Sequence, residues 1–408
     1  MKTDIQPLIP ALRFPGFNRS LENLELSKIT SYVDYRGRGP NKTENGIFLV
    51  TAKNIKKGFI DYDCSKEYIK ESDYGNVMSK GTPIIGDVLF TTEAPLGNVA
   101  QVDDANIALA QRVIKFRGKE KIHNGYILFY MLSTVFQKTI LKKAIGTTVQ
   151  GISGRELHKI KISFPSLPEQ QKIASFLTTI DSRIQALEKK KSSLEKYKKG
   201  VMQKIFTQEI RFKDEDGKAF PEWEEKKLGE STKYYDGTHQ TPKYVDKGIR
   251  FYSVEHLTAD QFLKTKFISE SVYLKENKRV KLEKGDILMT RIGDIGTVKL
   301  INWDVKASFY VSLALIKDSN EFKSEYLSHF FRSIFFQKEL WRRTIHVAFP
   351  KKINLGEIGK CNLILPLIKE QTHIANFLTA IDKKIALVNE QIEKTKAYKK
   401  GLLQKMFV

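Results

Sequence analysis

Cysteine is almost missing from this chain. Its 408 residues include two, Cys64 and Cys361, in unrelated contexts. That excludes a disulfide framework and a CxxC zinc pair, and it favours a reducing compartment. No apolar run approaches the length of a membrane span, and Met1–Pro7 lacks the apolar core of a signal peptide. The expected location is the cytoplasm, away from membranes. No Pro-Pro step occurs anywhere, so the Asn/Asp-Pro-Pro-aromatic loop of adenine and cytosine amino-methylation is absent. Gly118-Lys119, Gly217-Lys218 and Gly359-Lys360 are each followed by a residue other than Ser or Thr, which removes a phosphate-binding loop of the Gly-Lys-Ser/Thr type. Gly293-Asp-Ile-Gly296 is too short for a dinucleotide fingerprint. The seven histidines are scattered without metal-ligand spacing. Acid pairs such as Asp103-Asp104 and Asp214-Glu215 read as loop charges. The chain is expected to bind rather than catalyse, with no catalytic residue, no metal site and no cofactor of its own.

Acid is scarce relative to base: 47 Asp and Glu stand against 69 Lys and Arg, a formal net charge of +22. A charge of that size attracts polyanions over long range, nucleic acid first and anionic membrane second. Hydrophobic residues make up 41%, enough to bury real cores, and the length implies about two or three domains.

The most informative feature is a long internal repeat. Pro165, Glu169-Gln170, Ile173-Ala174, Phe176-Leu177-Thr178, Ile180-Asp181, Ile184, Tyr197-Lys198-Lys199-Gly200, Gln203-Lys204 and Phe206 recur without a gap. The second copy reads Pro366, Glu370-Gln371, Ile374-Ala375, Phe377-Leu378-Thr379, Ile381-Asp382, Ile385, Tyr398-Lys399-Lys400-Gly401, Gln404-Lys405 and Phe407. The chain is therefore two tandem copies of one unit. Each copy has a helical seam. In the first it runs Ile173, Leu177, Ile180, Ile184, Leu187, Leu194, Val201, Ile205. In the second it runs Ile374, Leu378, Ile381, Ile385, Val388, Ile392, Tyr398, Leu402, Met406. Prolines at 165, 168 and 366 suit the helix starts. Helices of roughly 35 residues span on the order of 50–55 Å. Lys191, Lys198 and Thr395 interrupt the seams, and the other face of the first helix is lysine-rich. Two matching stripes on solvated helices are most simply buried against each other as an antiparallel pair within the chain, with a homo-oligomeric coil as the alternative. Gly200 and Gly401, at matching late positions, read either as frayed ends or as close-approach points for another chain.

Residues 1–164 and 209–365 match more weakly. Phe14-Pro15 answers Phe220-Pro221, Gly46-Ile47 answers Gly248-Ile249, Gly86-Asp87-Val88-Leu89 answers Gly285-Asp286-Ile287-Leu288, and Gly97-Asn98-Val99 answers Gly296-Thr297-Val298. Alternating runs such as Val88–Thr92 and Gly248–Val254 predict strands. One helix is expected near Asn124–Lys143 and another near Glu325–Trp341. Side chains suited to bases and phosphates cluster in these divergent parts. The first holds Arg36, Arg38, Lys42, Lys53, Asn54, Thr91, Thr92, Gln111, Arg112, Thr147, Thr148 and Gln150. The second holds Thr238, His239, Gln240, Thr241, Lys243, Glu255, His256, Arg291, Tyr310, Thr344 and His346. The loops Gly146–Gly151 and Gly237–Thr241 are the best of them, because they are polar and free of acid. For any one of these residues the alternative is an ordinary polar loop.

Two variable domains, each followed by a long helix of near-identical sequence, resemble the specificity subunit of type I restriction–modification systems. The resemblance rests on Leu12-Arg-Phe-Pro-Gly16 and its echo Phe220-Pro-Glu-Trp223, on both Gly-Asp-x-Leu strands, and on Gly146-Thr-Thr-Val-Gln-Gly-Ile-Ser153. It rests further on Pro168-Glu-Gln-Gln-Lys-Ile-Ala174 and on the Tyr-Lys-Lys-Gly and Gln-Lys steps late in the helices. The second copy departs at Lys369 and at Thr344–Pro350, where the Gly-Thr-Thr loop is not kept. The resemblance implies an α+β, pseudo-two-fold chain: target recognition domain 1 (1–166), spacer helix 1 (167–208), target recognition domain 2 (209–366) and spacer helix 2 (367–408). It implies that the domains read a bipartite, asymmetric duplex DNA target. The helices would dock two modification subunits through Tyr197, Lys198, Lys199, Gly200, Gln203, Tyr398, Lys399, Lys400, Gly401 and Gln404. Two restriction subunits complete such a complex, in which the partners carry S-adenosylmethionine, ATP and Mg. The competing class is a non-catalytic coiled-coil nucleic-acid-binding scaffold.

Overall fold

A computed structural model describes residues 9–35, 39–110 and 112–408. The chain divides into two compact units, Met1–Glu188 with Glu390–Val408, and Lys189–Asn389. The division cuts through both long helices, Leu167–Phe206 and Ile368–Lys405. Each unit therefore contains the first half of one helix and the last half of the other.

Within each unit the two half-helices run antiparallel and pack seam to seam. In the first unit Ile173, Leu177, Ile180 and Ile184 share a core with Leu402, Met406 and Phe407. Lys399 Nζ meets Asp181 Oδ1 at 2.5 Å, and Lys396 meets Glu188 at 2.7 Å. In the second unit Met202, Ile205 and Phe206 join Ile374, Leu378 and Ile381. There Lys198 meets Asp382 at 2.5 Å and Lys191 donates to Asn389 Oδ1 at 2.7 Å. The lysines that interrupt the seam thus fix register by pairing across it. One seam assignment is corrected: Tyr398 is exposed, and Lys399 is the inward residue, as Lys198 is in the first helix. Gly200 and Gly401 have open space where a side chain would stand.

Each unit carries two small sheets and a short ribbon. In the first, an antiparallel sheet orders the strands Thr30–Asp34, Val113–Gly118, Val88–Thr91 and Val99–Gln101. A second sheet orders Tyr68–Ile69, Ile47–Val50 and Ile107–Leu109, the last pair parallel. The second unit repeats this with Tyr234–Asp236, Leu313–Ile316, Ile287–Ile292 and Asp294–Leu300. Its other sheet orders Tyr244–Val245, Lys266–Ile268, Ile249–Tyr252 and Ala307–Phe309, again with a parallel final pair. The ribbons pair Glu22–Glu25 with Lys161–Phe164 and Glu224–Lys227 with Asn362–Leu365.

Two sequence expectations change here. The helix expected at Asn124–Lys143 is two, Asn124–Leu132 and Thr134–Lys143, and its counterpart is Ser324–Phe331 followed by Ile334–Arg343. Ser133 and Ser333 break them because each side-chain oxygen caps the next helix, accepting from the backbone of Phe136 or Phe336. The second change concerns the counterpart of Phe14. Leu12 N donates to Lys405 O, Arg13 pairs with Glu169, and Phe14 packs edge-on against Phe176. Ile210 N donates to Lys204 O, Arg211 pairs with Glu370, and Phe212 packs against Phe377. Phe212, not Phe220, therefore answers Phe14.

Glu169-Gln170 and Glu370-Gln371 tie the preceding arm and loops to the start of each long helix. Glu169 is 2% exposed and takes Arg13 in a two-pronged pair at 2.9 and 2.6 Å. Glu370 is 0% exposed and takes Arg211 at 3.3 and 2.9 Å, with Trp223 Nε1 added at 2.9 Å. Gln170 accepts from His123 N and donates to Lys121 O and Pro165 O. Gln371 accepts from Lys323 N and donates to Pro366 O. Buried polar groups satisfied this fully hold one geometry, which accounts for the repeat at these positions in structural terms.

Candidate nucleic-acid interface

In the second unit the loop after Tyr234–Asp236 gathers most of the candidates. Gly237 is packed so closely that a Cβ would lie 2.2 Å from Phe309 O. That approach lets Thr238 bridge Tyr310 and lets Val311 N donate to Thr238 O. Thr238 is therefore a corrected candidate: it is buried, its hydroxyl donates to Gln240 O, and it holds the loop rather than facing a ligand. Thr241 and Tyr310 hydroxyls meet at 3.2 Å. Asp236 organises the loop. It pairs with Arg279 at 2.9 Å, His239 Nε2 at 2.9 Å and Arg291 at 3.5 Å. Partial burial opposes its ionisation, but hydrogen bonds from Arg279 and His239 outweigh that and hold its pKa below the usual carboxylate range. Arg291 is buried and also donates to Ile353 O and Val311 O. It positions the loop rather than offering a free guanidinium, and burial lowers its pKa.

An open groove of ≈ 720 Å³ runs beside this loop, lined by Thr241, Tyr244, Phe251, Glu255, Asp294 and Tyr310 among others. It joins aromatic faces to carboxylate acceptors. Asp294 accepts from Thr290 at 2.8 Å. It was not legible as a site residue, because in sequence it is one acid in a Gly-Asp-Ile-Gly turn. His256 proves structural. It is buried, Ser253 N donates to its Nδ1 at 2.9 Å to cap the helix Val254–Thr258, and burial lowers its pKa. Lys243 and Gln240 are exposed. His346 sits on an adjacent hairpin whose base pairs Ile345 with Lys352, and Lys352 with Ile292.

In the first unit the hairpin Ile145–Gly151 occupies the same place, bridged to Glu93. Gly146 has φ +105°, and a Cβ there would fall 2.3 Å from Val149 O, so the turn requires glycine. Thr147, Thr148 and Gln150 are exposed at its tip. Arg112 lies beside it, its Nε 2.9 Å from Glu93, and Lys53 is exposed on a separate loop. Three candidates are corrected. Asn54 is buried; it accepts from Thr51 and donates to Asp61 O and Ser65 O. Thr91 is buried and bonded to Asn98. Thr92 is buried and bonded to Arg112 O. All three hold turns and present nothing to a ligand. Lys42 is paired with Glu67 at 2.9 Å. Arg36, Arg38 and Gln111 lie outside the described residues.

Of the helix candidates, Tyr197, Lys199, Gln203, Tyr398, Lys400 and Gln404 are exposed, whereas Lys198 and Lys399 are consumed by their ion pairs. In the second unit a pocket of ≈ 660 Å³ opens beside them, lined by Lys198, Lys199, Gln203, Arg332, Gln337 and Asp382 among others.

Duplicated units with one frame and different loops are matched in known proteins. The type I restriction modification DNA specificity domain matches twice, over residues 37–196 and 221–397. The chain belongs to that family. It is 28% identical over 397 aligned residues to the type I restriction enzyme MjaVIII specificity subunit of Methanocaldococcus jannaschii, spanning 92% of this chain and 90% of that one. It is 24% identical over 405 residues to the EcoBI specificity subunit of Escherichia coli, spanning 93% and 82%. The crystal structure of a type I restriction-modification S subunit from M. genitalium superposes with a TM-score of 0.63 at 15% identity, over 98% of this chain and 99% of that one. A chain from a study of complex assembly and conformational transition of the type I system gives 0.56 at 16% identity, over 96% and 98%. Those two likenesses establish the fold. Among the described residues no helix is long and apolar enough to cross a membrane.

Proposed function

We propose that this chain is the DNA-reading subunit of a type I restriction–modification complex. Each unit reads one half of a split, asymmetric duplex target. The observation that carries the proposal is positional. The hairpins 145–151 and 345–352 hang from the same place on one frame, bridged to Glu93 and Ile292, yet their tips differ completely. A constant frame with divergent tips suits a reader of two unlike half-sites. In the first unit Thr147, Thr148, Gln150 and Arg112, with Lys53, are the contact residues. In the second they are His239, Gln240, Thr241, Lys243 and Tyr310, with Glu255 and Asp294 placed to accept from base amino groups. Lysine-rich helix faces and the net charge of +22 supply phosphate attraction.

The exposed Tyr197, Lys199, Gln203, Tyr398, Lys400 and Gln404 late in the helices are the docking surface for two modification subunits, to which restriction subunits add. S-adenosylmethionine, ATP and Mg belong on those partners. The test is exchange of residues 209–365 for the matching segment of another specificity chain, followed by methylome sequencing of cells with the full system. One half-site changes and the other persists; a change in both halves counts against modular reading.

A further inference from the structure

The two hairpins share a base but differ in chemistry at the tip. The first presents the hydroxyls of Thr147 and Thr148 and the amide of Gln150, with one aliphatic side chain, Val149, 56% exposed among them and no aromatic ring. The second presents His346-Val-Ala-Phe-Pro350, with Val347 96% and Phe349 104% exposed. Apolar side chains left in water at a loop tip forgo the gain of burial and stabilise no core, so a partner surface is the economical reason to keep them there. Behind the tip, the exposed Trp341 ring lies 4.7 Å from that of His346, whose Nε2 is 2.9 Å from Trp341 O. The stem is fixed. Ile345 N donates to Lys352 O at 2.8 Å, Gly293 N to Lys351 O at 2.8 Å, and Ile353 N to Arg291 O at 3.0 Å. Arg291 is the residue that ties the stem to Asp236 and the 237–241 loop. A rigid stem therefore carries an apolar tip on the side of the unit that holds the candidate base readers.

Charge selects the partner. Arg342 and Arg343 at the foot of the hairpin pair with Glu339 and Glu357. The hairpin itself, from Thr344 to Ile353, holds no acid, and its tip is followed by Lys351 and Lys352. Both lysines are exposed. Apolar wedges on basic stems enter duplex DNA from the groove and part a base step. Exposed lysines directly beside the apolar tip suit a polyanion better than another protein surface.

We propose that Val347 and Phe349 form a wedge that inserts at a base step in or beside the half-site read by the second unit, and that the matching hairpin of the first unit carries no aromatic wedge. The inference rests on the DNA-reading function proposed above. The test uses the full chain with its modification subunits and a duplex carrying the methylome-derived target, with 2-aminopurine placed singly through each half. The wild-type complex gives a fluorescence rise at a step associated with the half lost on exchange of 209–365. F349A loses that signal and binds roughly tenfold more weakly, the scale of one aromatic–base stack. Its salt dependence is unchanged, because phenylalanine displaces no counterion. Lys352→Ala does the reverse, lowering the salt slope by about one while keeping the signal. Phe349→Trp retains both signal and affinity, and equal melting temperatures establish that each variant folds. The wedge is overturned if F349A keeps the unstacking signal. It is also overturned if F349A loses the modification subunits on co-purification, which makes the tip a protein-docking surface. Failure of the wild-type complex to bind any duplex specifically removes the DNA-reading function as well, and so is distinguishable from failure of the wedge alone.

Discussion

The first and second units are matched where the frame is held and unmatched where a ligand is expected. Arg13–Glu169 and Arg211–Glu370 anchor the same arm to the same helix turn. Gln137 donates to Gly97 O and Met131 O as Gln337 donates to Gly296 O and Phe331 O. Phe407 packs against Tyr126 and Tyr130 as Phe206 packs against Tyr326 and Phe330. Against this, Thr92 stands where the second unit has Arg291, Phe129 where it has His329, and Leu132 where it has Arg332. Buried hydrogen-bonded pairs do not tolerate the loss of one partner, so they persist in both copies. The unmatched positions, although Thr92, Arg291, Phe129 and His329 are buried too, are not held by a pair that both copies share.

The largest expected effect tests whether the shared anchors are equal. Arg13→Ala leaves the carboxylate of Glu169 buried and unpaired, a loss of about 3–5 kcal/mol. Arg211→Ala leaves Glu370 with its Trp223 hydrogen bond, so its cost is smaller by about 1 kcal/mol. Denaturant unfolding of the two variants measures both. Equal losses would show that Trp223 contributes nothing to the anchor.

A smaller effect concerns pH. His329 is buried, its Nε2 lies 3.1 Å from Thr379 Oγ1, and its Nδ1 has no hydrogen bond. Burial, then the charges of Lys198 and Arg332, push its pKa down to about 3 despite Asp382 nearby. The unfolded chain therefore binds a proton below about pH 6.5 that the folded chain refuses until about pH 3. The neutral histidine's contribution to stability is fully present above pH 6.5 and is lost as the pH falls through that window. His329→Phe copies Phe129 of the first unit and removes this dependence. Between pH 7 and pH 5 the wild type should lose about 2 kcal/mol more than His329→Phe. Parallel pH profiles for the two proteins would locate the acid sensitivity elsewhere.

The repeat, the antiparallel helices and the two-unit organisation were legible because they depend on periodicity, which survives without three-dimensional information. The breaks at Ser133 and Ser333 were not, because an apolar run through 124–143 hides a cap whose evidence is one side-chain oxygen. Candidate site residues chosen by type alone were the weakest part. Asn54, Thr91 and Thr92 have suitable chemistry but spend it on their own backbone. Asp294 and the exposed tip at Val347–Phe349 are not legible in the sequence, because neither an acid in a turn nor an apolar loop residue signals a site until its exposure is known. The equivalence of Phe14 and Phe212 was obscured by the short insert bridged at Lys213 and Ala219, which moves the Phe-Pro echo eight residues along.

The smallest difference is set by what surrounds two ion pairs of equal length, whose aspartates are 26% exposed at Asp181 and 42% at Asp382. Lys399–Asp181 and Lys198–Asp382 are both 2.5 Å long, and both lysine side chains are 14% exposed. Lys399 also lies over the Phe129 ring, 5.4 Å from its centroid. Lys198 instead shares its surroundings with Arg332 and the buried, neutral His329. A cation over an aromatic face gains about 0.5–1 kcal/mol, whereas a neighbouring guanidinium repels. Lys399→Met should therefore cost about 0.5–1 kcal/mol more than Lys198→Met. In the background of His329→Phe, which restores an aromatic face beneath Lys198, that gap should narrow. Thermal unfolding of the three pairs of proteins measures the gap directly. If it persists unchanged with His329→Phe in place, the Arg332 charge rather than the missing ring sets the asymmetry between the units.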